Sequence, residues 1–304
     1  EVISNMHQEA YDKAPGLRRS DLWKINKSPH HFKTHMESER EDTASLKFGI
    51  ATHKYILEPN TFFDEYAIAP KVDKRTKAGK ETWLNFVADC DTNNKEPLDQ
   101  KDFDIIKAMA DAVNADPLAK QMLTGQHELE FYWTDPMTQE PLKCKCDNIG
   151  TYNGKKIIVD YKTTDSCEDG HFERSSKRYG YQFQTGFYTE GVFQSTGEAC
   201  GFAFVAQEKK PPYACRVYLC SDMYVEKGKM IYHQLLDLYH QCTVTNDWFG
   251  YEGSSANPQP TELMDDSERY SNNYGYGNQV YTETGFRSDD YLEEPDTDSD
   301  YSDI

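Results

Sequence analysis

Between Lys145 and Thr164 the chain carries two strand-like runs joined by an Asn-Gly turn, and no other stretch constrains the fold as much. The first run reads Lys145-Cys146-Asp147-Asn148-Ile149, the second Ile157-Ile158-Val159-Asp160-Tyr161-Lys162-Thr163-Thr164. The second is apolar and β-branched up to Asp160, the composition of a buried strand. Asn153-Gly154 between them is a strong hairpin signal, since both residue types tolerate the backbone angles of a tight turn. An antiparallel hairpin closed there brings Asp147 and Asp160 towards the same end of a sheet. Side chains alternate along a strand, so Asp160 and Lys162 project to one face and Tyr161 to the other. Two carboxylates and an ammonium at the end of an apolar strand are costly to bury without a task. The simplest task is to hold a hard divalent cation, with Lys162 beside the water it activates. Taken alone, the same residues also read as a turn acid and a surface ion pair.

Four further elements lie around this pair in the sequence. Upstream, Phe48-Gly49-Ile50-Ala51-Thr52-His53 falls in a helical pattern from Thr43 to Leu57, with Leu46, Ile50, His53 and Leu57 on one face. Downstream, Tyr181, Gln184 and Tyr188 stand at i, i+3 and i+7 of a second helical pattern, hence on one face. A packing stripe accounts for the tyrosines, whereas a buried Gln184 amide needs partners. Near the start lies Ser28-Pro29-His30-His31-Phe32, and Glu128 sits on the strand that precedes the hairpin. His53 by itself reads equally as a core histidine, and Glu128 as an exposed strand residue.

Together these elements resemble the PD-(D/E)xK nuclease superfamily, in its RecB-type branch. Tyr181-Gln182-Phe183-Gln184-Thr185-Gly186-Phe187-Tyr188 fits the Tyr-x-x-Gln-x-x-x-Tyr signature of that branch, and Gly49-x-Ala51-x-His53 its metal-binding histidine element. Ser28 to Phe32 is similar to the opening helix of phage RecE-type exonucleases, the exodeoxyribonuclease VIII family, and Glu128 stands where that family has a further acid. The resemblance covers roughly residues 15 to 245 in the correct order, and the register of all the elements carries it, because Asp…Asp-x-Lys alone is a weak motif. One departure is that relatives usually show Arg-Pro-Asp where this chain has Lys145-Cys146-Asp147.

The resemblance implies a Mg²⁺-dependent deoxyribonuclease, with Mn²⁺ accepted, that digests linear double-stranded DNA from its ends, 5′ to 3′, in phage-type recombination. It implies catalytic roles for Asp147, Asp160, Lys162 and Glu128, and metal ligation by His53, Asp147, Asp160 and the Tyr161 carbonyl. Substrate contacts fall to Gln184, Tyr188, Tyr181, Lys145 and Thr163. Partners so implied are DNA ends, a single-strand annealing protein and further copies of the chain in a ring. The competing expectations are a PD-(D/E)xK endonuclease, or a nuclease-derived body that binds DNA ends or a partner without cleaving.

The formal charge of −19 sits badly with DNA binding until its distribution is considered. Residues 251–304 hold 14 Asp/Glu against 2 Arg, a net of −12, which leaves −7 on residues 1–250. That tail is poor in aliphatic residues, cannot offset its ordering entropy by burial, and is expected to be disordered. A body at −7 can still present a basic groove. The domains are therefore expected to be a nuclease body over 1–250 and an acidic tail over 251–304.

No apolar run is long enough to span a bilayer, and Glu1 to Glu9 carry no signal-peptide pattern, so a cytoplasmic protein is expected, and the phage resemblance implies a bacterial host cell. The chain opens without Met and reads as a processed or excised piece. Its eight cysteines show no disulfide framework and are expected to be mostly reduced. Cys144-x-Cys146 has no second ligand pair at zinc spacing. No cysteine precedes Cys90, and those at 215, 220 and 242 are too scattered for an iron–sulfur cluster, so neither metal centre is expected.

Periodicity predicts a helix from Ser20 through Phe32, capped by Ser20 and interrupted at Pro29, then the helix 43–57. Residues 59–79 read as loop with a short strand at Tyr66–Ala69. Helical patterns cover 80–90, 100–114, 116–123, 171–195 and 222–242, and strands 127–134, 141–149, 156–163, 199–207 and 213–220. This order predicts an α/β fold with a central mixed β-sheet flanked by helices, a restriction-endonuclease-like core if the resemblance holds.

Overall fold

The computed structural model describes residues 2–3, 8–38 and 43–253. In chain order its strands are β1 (Val2–Ile3), β2 (Tyr66–Ile68), β3 (Glu96–Leu98), β4 (Gln126–Thr134), β5 (Pro141–Tyr152), β6 (Lys155–Thr164), β7 (Gly201–Glu208) and β8 (Cys215–Leu219). The helices are α1 (Gln8–Lys13), α2 (Arg19–Trp23), α3 (Pro29–Glu37), α4 (Ala44–Leu57), α5 (Phe62–Glu65) and α6 (Lys77–Asn93). They continue with α7 (Gln100–Ala115), α8 (Pro117–Met122), α9 (Asp169–Tyr179), α10 (Tyr181–Thr196) and α11 (Asp222–Thr245). Six strands form one sheet in the order β1-β4-β5-β6-β7-β8, and β2 and β3 make a separate parallel pair. Within the large sheet only β6 and β7 are parallel. A parallel pair cannot be joined by a tight turn, and α9 and α10 provide the crossover.

The predicted hairpin forms where expected. Asn153 and Gly154 take φ angles of 49° and 74°, the positive values of a two-residue turn that matches strand twist. On one face of the sheet Leu142, Cys144, Cys146, Ile158 and Phe204 pack with Phe183 and Phe187 of α10 and Tyr232 and Leu236 of α11. On the other, Ile157, Val159, Tyr161 and Val205 pack under Leu57, Val113 and Met122. Helix α10 is held between the sheet and α11 by a close crossing. A Cβ on Gly186 would lie 2.1 Å from the Gly228 carbonyl carbon, and one on Gly228 2.1 Å from the Gln182 carbonyl oxygen.

Some expectations are corrected. Pro29 does not interrupt a helix; it opens α3 at the first position, where its missing N–H costs nothing. Ser28 is the cap there, its hydroxyl accepting from the His31 N–H at 3.2 Å. The preceding helix starts at Arg19, not after a Ser20 cap, and Arg18 donates its N–H to Asp21 at 3.3 Å. In the stretch 59–79, read as loop with a short strand at Tyr66–Ala69, the strand is present as β2, but α5 precedes it and β2 pairs with the unanticipated β3, too short to read from alternation. After α11, and within the body expected over 1–250, Trp248 stacks on Phe32 at 5.5 Å and the His30 N–H donates to the Phe249 carbonyl at 2.9 Å. The tail expected to be disordered lies outside the described residues from 254 onward.

Candidate active site

Both strands that carry the upstream acids reverse their faces at those acids. In the β4–β5 ladder His127 pairs with Asn148 and Leu129 with Cys146, which leaves Glu128 opposite Asp147. Glu128 has a φ of 53°, unusual for a residue with a side chain. On one side of it, Leu129, Phe131, Cys144 and Cys146 point into the α10–α11 core. On the other, His127 Nε2 donates to the Leu123 carbonyl at 2.9 Å and Asn148 Nδ2 to the Met122 carbonyl at 2.8 Å, towards α8. An undisturbed pleat would have kept residues 127 and 129, and 146 and 148, on the same faces. The kink frees Glu128 and Asp147 from the ladder and turns them to the sheet's end.

The β5–β6 ladder ends at Asn148 and Val159. One residue further, the Tyr161 N–H donates to Asp147 Oδ2 at 2.8 Å. Asp160 faces α10, where Gln184 Nε2 donates to its Oδ1 at 2.6 Å. Lys162, on the same face, places Nζ 3.2 Å from Asp160 Oδ2 and 5.1 Å from the centre of the Tyr181 ring. All three charged groups are buried: Asp147 is 5% exposed, Asp160 1% and Lys162 2%.

Burial dominates the electrostatics. It pushes the Asp147 carboxyl well above the usual carboxylate range, and the charges of Asp160 and Glu128 push it further. Burial lowers His53 to about 3, helped by the cations of Lys162 and Lys145, so its imidazole is neutral at ordinary pH. His53 Nδ1 lies 3.4 Å from Asp147 Oδ2, and its ring meets that of Tyr161 edge-on at 5.0 Å. Tyr161 is fixed from behind, donating its hydroxyl to Gln207 Oε1, while Gln207 Nε2 donates to the Met109 carbonyl.

The structure gathers most of the residues read from the sequence around one cleft. Lys145 pairs with Glu128 at 2.8 Å on its wall, and Tyr188 lines it together with Gln184. Tyr181 is buried and stacks on Phe204 at 5.2 Å, making a floor under Lys162. Thr163 differs: it pairs with Gln207 in the β6–β7 ladder, on the opposite face from Lys162, and is not part of the cleft lining. Sequence reading missed the opposite wall, formed by Tyr11, Arg18, Arg19 and Ser20. The only signal there was the Arg18-Arg19 pair at a helix start. It also left Glu130 without a role; this residue is 1% exposed and accepts the Tyr132 hydroxyl at 2.9 Å.

These residues fit a hard divalent cation. Asp147 and Asp160 are buried carboxylates whose charges oppose one another, and Glu128 adds a third. Gln184 Oε1, beside them, is buried and without a hydrogen-bond partner among the described residues. A hydrated cation would satisfy both conditions, its charge offsetting the repulsion and its waters donating to the amide oxygen. Among the described residues no three His, Cys, Asp or Glu side chains are already drawn together into a metal-binding cluster. Asp160 instead lies on Lys162 and Glu128 on Lys145. The cysteines are free, with Cys144 and Cys146 in the core.

Comparison with known proteins agrees with this architecture. The model of a PDDEXK-like domain of unknown function (DUF3799) matches residues 19–256. A crystal structure of a Eubacterium rectale protein, provisionally described as an exonuclease, superimposes with a TM-score of 0.56 at 17% identity. The match covers 87% of this chain and 98% of that one, and at such identity it shows the fold alone. The structure of SSO0001 matches at 12% identity over 72% of this chain and 84% of that one, with a TM-score of 0.26. No curated protein matches. The sheet and its flanking helices are thus a restriction-endonuclease-like fold. No helix among the described residues is long and apolar enough to cross a membrane.

Proposed function

The chain belongs to the PDDEXK-like family, and from that premise we propose that it is a Mg²⁺-dependent deoxyribonuclease, an exonuclease acting on linear double-stranded DNA. One observation carries the reading: Asp147, Asp160 and Lys162 converge at the frayed end of β5 and β6, with Gln184 bound to Asp160. Asp147 and Asp160 would hold the ion through their oxygens, with the Tyr161 carbonyl and water completing the set. Neutral His53 orients Asp147 or adds a nitrogen ligand, a donor that suits Mn²⁺ better than Mg²⁺. When bound, the ion polarises the scissile phosphate, acidifies a water and offsets charge on the leaving 3′ oxygen.

The remaining steps belong to the chain. Lys162 directs Nζ at the attacking water and orients it as a hydrogen-bond donor. Gln184 keeps Asp160 in one rotamer, and Tyr188 orients the DNA backbone in the cleft. Phosphate contacts carry no sequence information, in keeping with digestion from ends rather than at a cognate site. The finer reading is a RecE-type enzyme working 5′ to 3′ in a bacterial cytoplasm during phage-type recombination. It would leave a 3′ strand for an annealing protein, with the acidic segment 251–304 outside the substrate path.

The test is digestion of linear duplex DNA with Mg²⁺ beside covalently closed circles of the same sequence. Loss of the linear form alone, abolished by Asp160→Ala, is the expected result. Circles cut at discrete sites would make the protein an endonuclease, and metal-independent or absent cleavage would overturn the reading.

A further inference from the structure

Residues 71–80 form the most basic stretch of an otherwise acidic body. Lys71, Lys74, Arg75, Lys77 and Lys80 stand against Asp73 alone, a net of +4 in a body whose total is −7. The stretch is built rather than loose. Asp73 accepts from the Arg75 N–H and Nε, both at 3.0 Å, and the Thr76 hydroxyl donates to the Asp73 carbonyl at 3.0 Å. Thr76 then caps α6 by accepting from the Gly79 N–H at 3.0 Å. A Cβ on Gly79 would lie 2.0 Å from the Asp73 carbonyl oxygen, so the loop folds tightly back on the first turn of the helix. Lys74 lies over the Trp83 ring at 3.0 Å from its centre, and Lys71 reaches Asp104 of α7 at 3.8 Å.

Helix α6 itself is a projection. Of its seventeen residues only Gly79 and Cys90 are buried. Its two ends run into β2 and β3, whose neighbours Phe62, Leu98 and Ile106 pack with Ala51 of α4. That same α4 carries His53 to Asp147. The basic turn is therefore a rigid arm mounted on the helix that supplies the site's histidine. Lys77 and Lys80, three residues apart on an exposed turn, share one side of it and have no acidic partner among the described residues.

Resting on the nuclease reading above, we infer that this arm is a phosphate-backbone clamp for duplex DNA lying outside the catalytic cleft. Charge decides the occupant: a net of +4 over ten residues repels basic partners and matches a polyanion. Trp83 is covered by Lys74, so the arm offers cations rather than a free stacking face, and its contacts are indifferent to sequence. The clamp gives the acidic body a second place, beside the cleft lined by Arg18, Arg19, Lys145 and Lys162, to retain DNA between cleavage events.

The experiment measures binding of a blunt-ended duplex to the full chain in EDTA, so that no cleavage occurs, across a salt series. Lys77→Gln/Lys80→Gln is compared with the parent, since both side chains are exposed and make no ion pair among the described residues, so the substitution removes no packing. Each phosphate contact contributes about −0.9 to the slope of log K against log salt, so the slope should become shallower by ~2. Affinity at low salt should fall at least about tenfold, while the melting temperature is unchanged. An unaltered slope overturns the clamp. Because the readout needs no turnover, a chain that binds through the arm yet cuts nothing would sink the nuclease reading and leave the clamp standing.

Discussion

Tyr161 gives its backbone N–H to the side chain of Asp147, at 2.8 Å, where a continuing hairpin would have used a backbone carbonyl. This single exchange explains why the two strands part after Asn148 and Val159. It fixes Asp147 Oδ2, the oxygen that also lies 3.4 Å from His53 Nδ1. It also ties the site to a chain running backward through the sheet, because the Tyr161 ring is wedged by His53 and its hydroxyl is held by Gln207. The carboxylate pair is thus positioned from strands, not loops, and its geometry is as stiff as the sheet.

Lys162→Ala should lower cleavage at least about 100-fold, the scale of losing one preorganised donor at the reacting atoms, while leaving DNA binding intact. Nζ sits 3.2 Å from Asp160 Oδ2 and over the Tyr181 ring, so it serves the cleft. Single-turnover cleavage and binding in EDTA separate the two effects. Turnover within a few-fold of the parent would remove Lys162 from the chemistry.

Asp147→Asn should abolish cleavage yet make the metal-free protein more stable. The amide oxygen still accepts the Tyr161 N–H, while one of the buried, mutually repelling carboxylates is gone. We expect a melting temperature about 2–4 °C higher in EDTA at pH 8, the shift that ~1 kcal/mol produces in a body of this size. Added Mg²⁺ should raise the parent's melting temperature and leave the variant's unmoved. A variant less stable than the parent in EDTA would show that Asp160 and Glu128 do not strain Asp147.

Much of this site is legible in the sequence because its carriers are regular. Asn153-Gly154 fixes the hairpin, the apolar run to Val159 marks β6 as a strand buried on both faces, and i, i+3, i+7 spacing puts Tyr181, Gln184 and Tyr188 together. The kink at Glu128 is not legible, since nothing local marks a glutamate for a positive φ; the reversal is imposed by α8 on one side and α10 on the other. The wall from Tyr11 to Ser20 is hidden for another reason. Its residues reach the cleft through contacts over 120 residues away in sequence, such as Lys143 Nζ donating to the Tyr11 carbonyl at 2.6 Å. Pro29 misled because a proline signals a break and a helix start equally, and only the Ser28 hydroxyl decides between them.

The turn joining β4 and β5 gives a pH-dependent test of what holds the acid-bearing strands in register. Asp135 is buried, which alone would raise its pKa, but hydrogen bonds from the Thr138 N–H and hydroxyl, the Tyr232 hydroxyl and the Met137 N–H outweigh this and lower it. A depressed carboxyl contributes stability above its unfolded pKa of about 4, and that contribution is lost as pH falls through the lower folded value. Asp135→Asn should therefore cost ~1–3 kcal/mol at pH 7, and the gap should close below about pH 4. Urea unfolding at both pH values measures it, and a gap that stays constant would mean that the ionised form is not what the turn requires.

The last prediction concerns His53, whose two roles separate by metal. Held at a pKa of about 3 by burial and by Lys162 and Lys145, it cannot act as a cation or a titrating base near neutrality. What remains is a neutral imidazole 3.4 Å from Asp147, either packing against Tyr161 or supporting the ion that Asp147 would hold. If it supports the ion, His53→Ala should reduce cleavage about 10–100-fold per folded molecule, the usual cost of losing such support. The loss should be greater with Mn²⁺ than with Mg²⁺, because imidazole nitrogen favours the transition metal. The pH profile between 5 and 8 should keep its shape, since no ionisation of His53 falls in that range. Cleavage assays in each metal, normalised to the folded fraction by thermal denaturation, give the comparison. A variant that only melts earlier, with unchanged activity per folded molecule in both metals, would return His53 to the core and leave Asp147 oriented by the Tyr161 N–H alone.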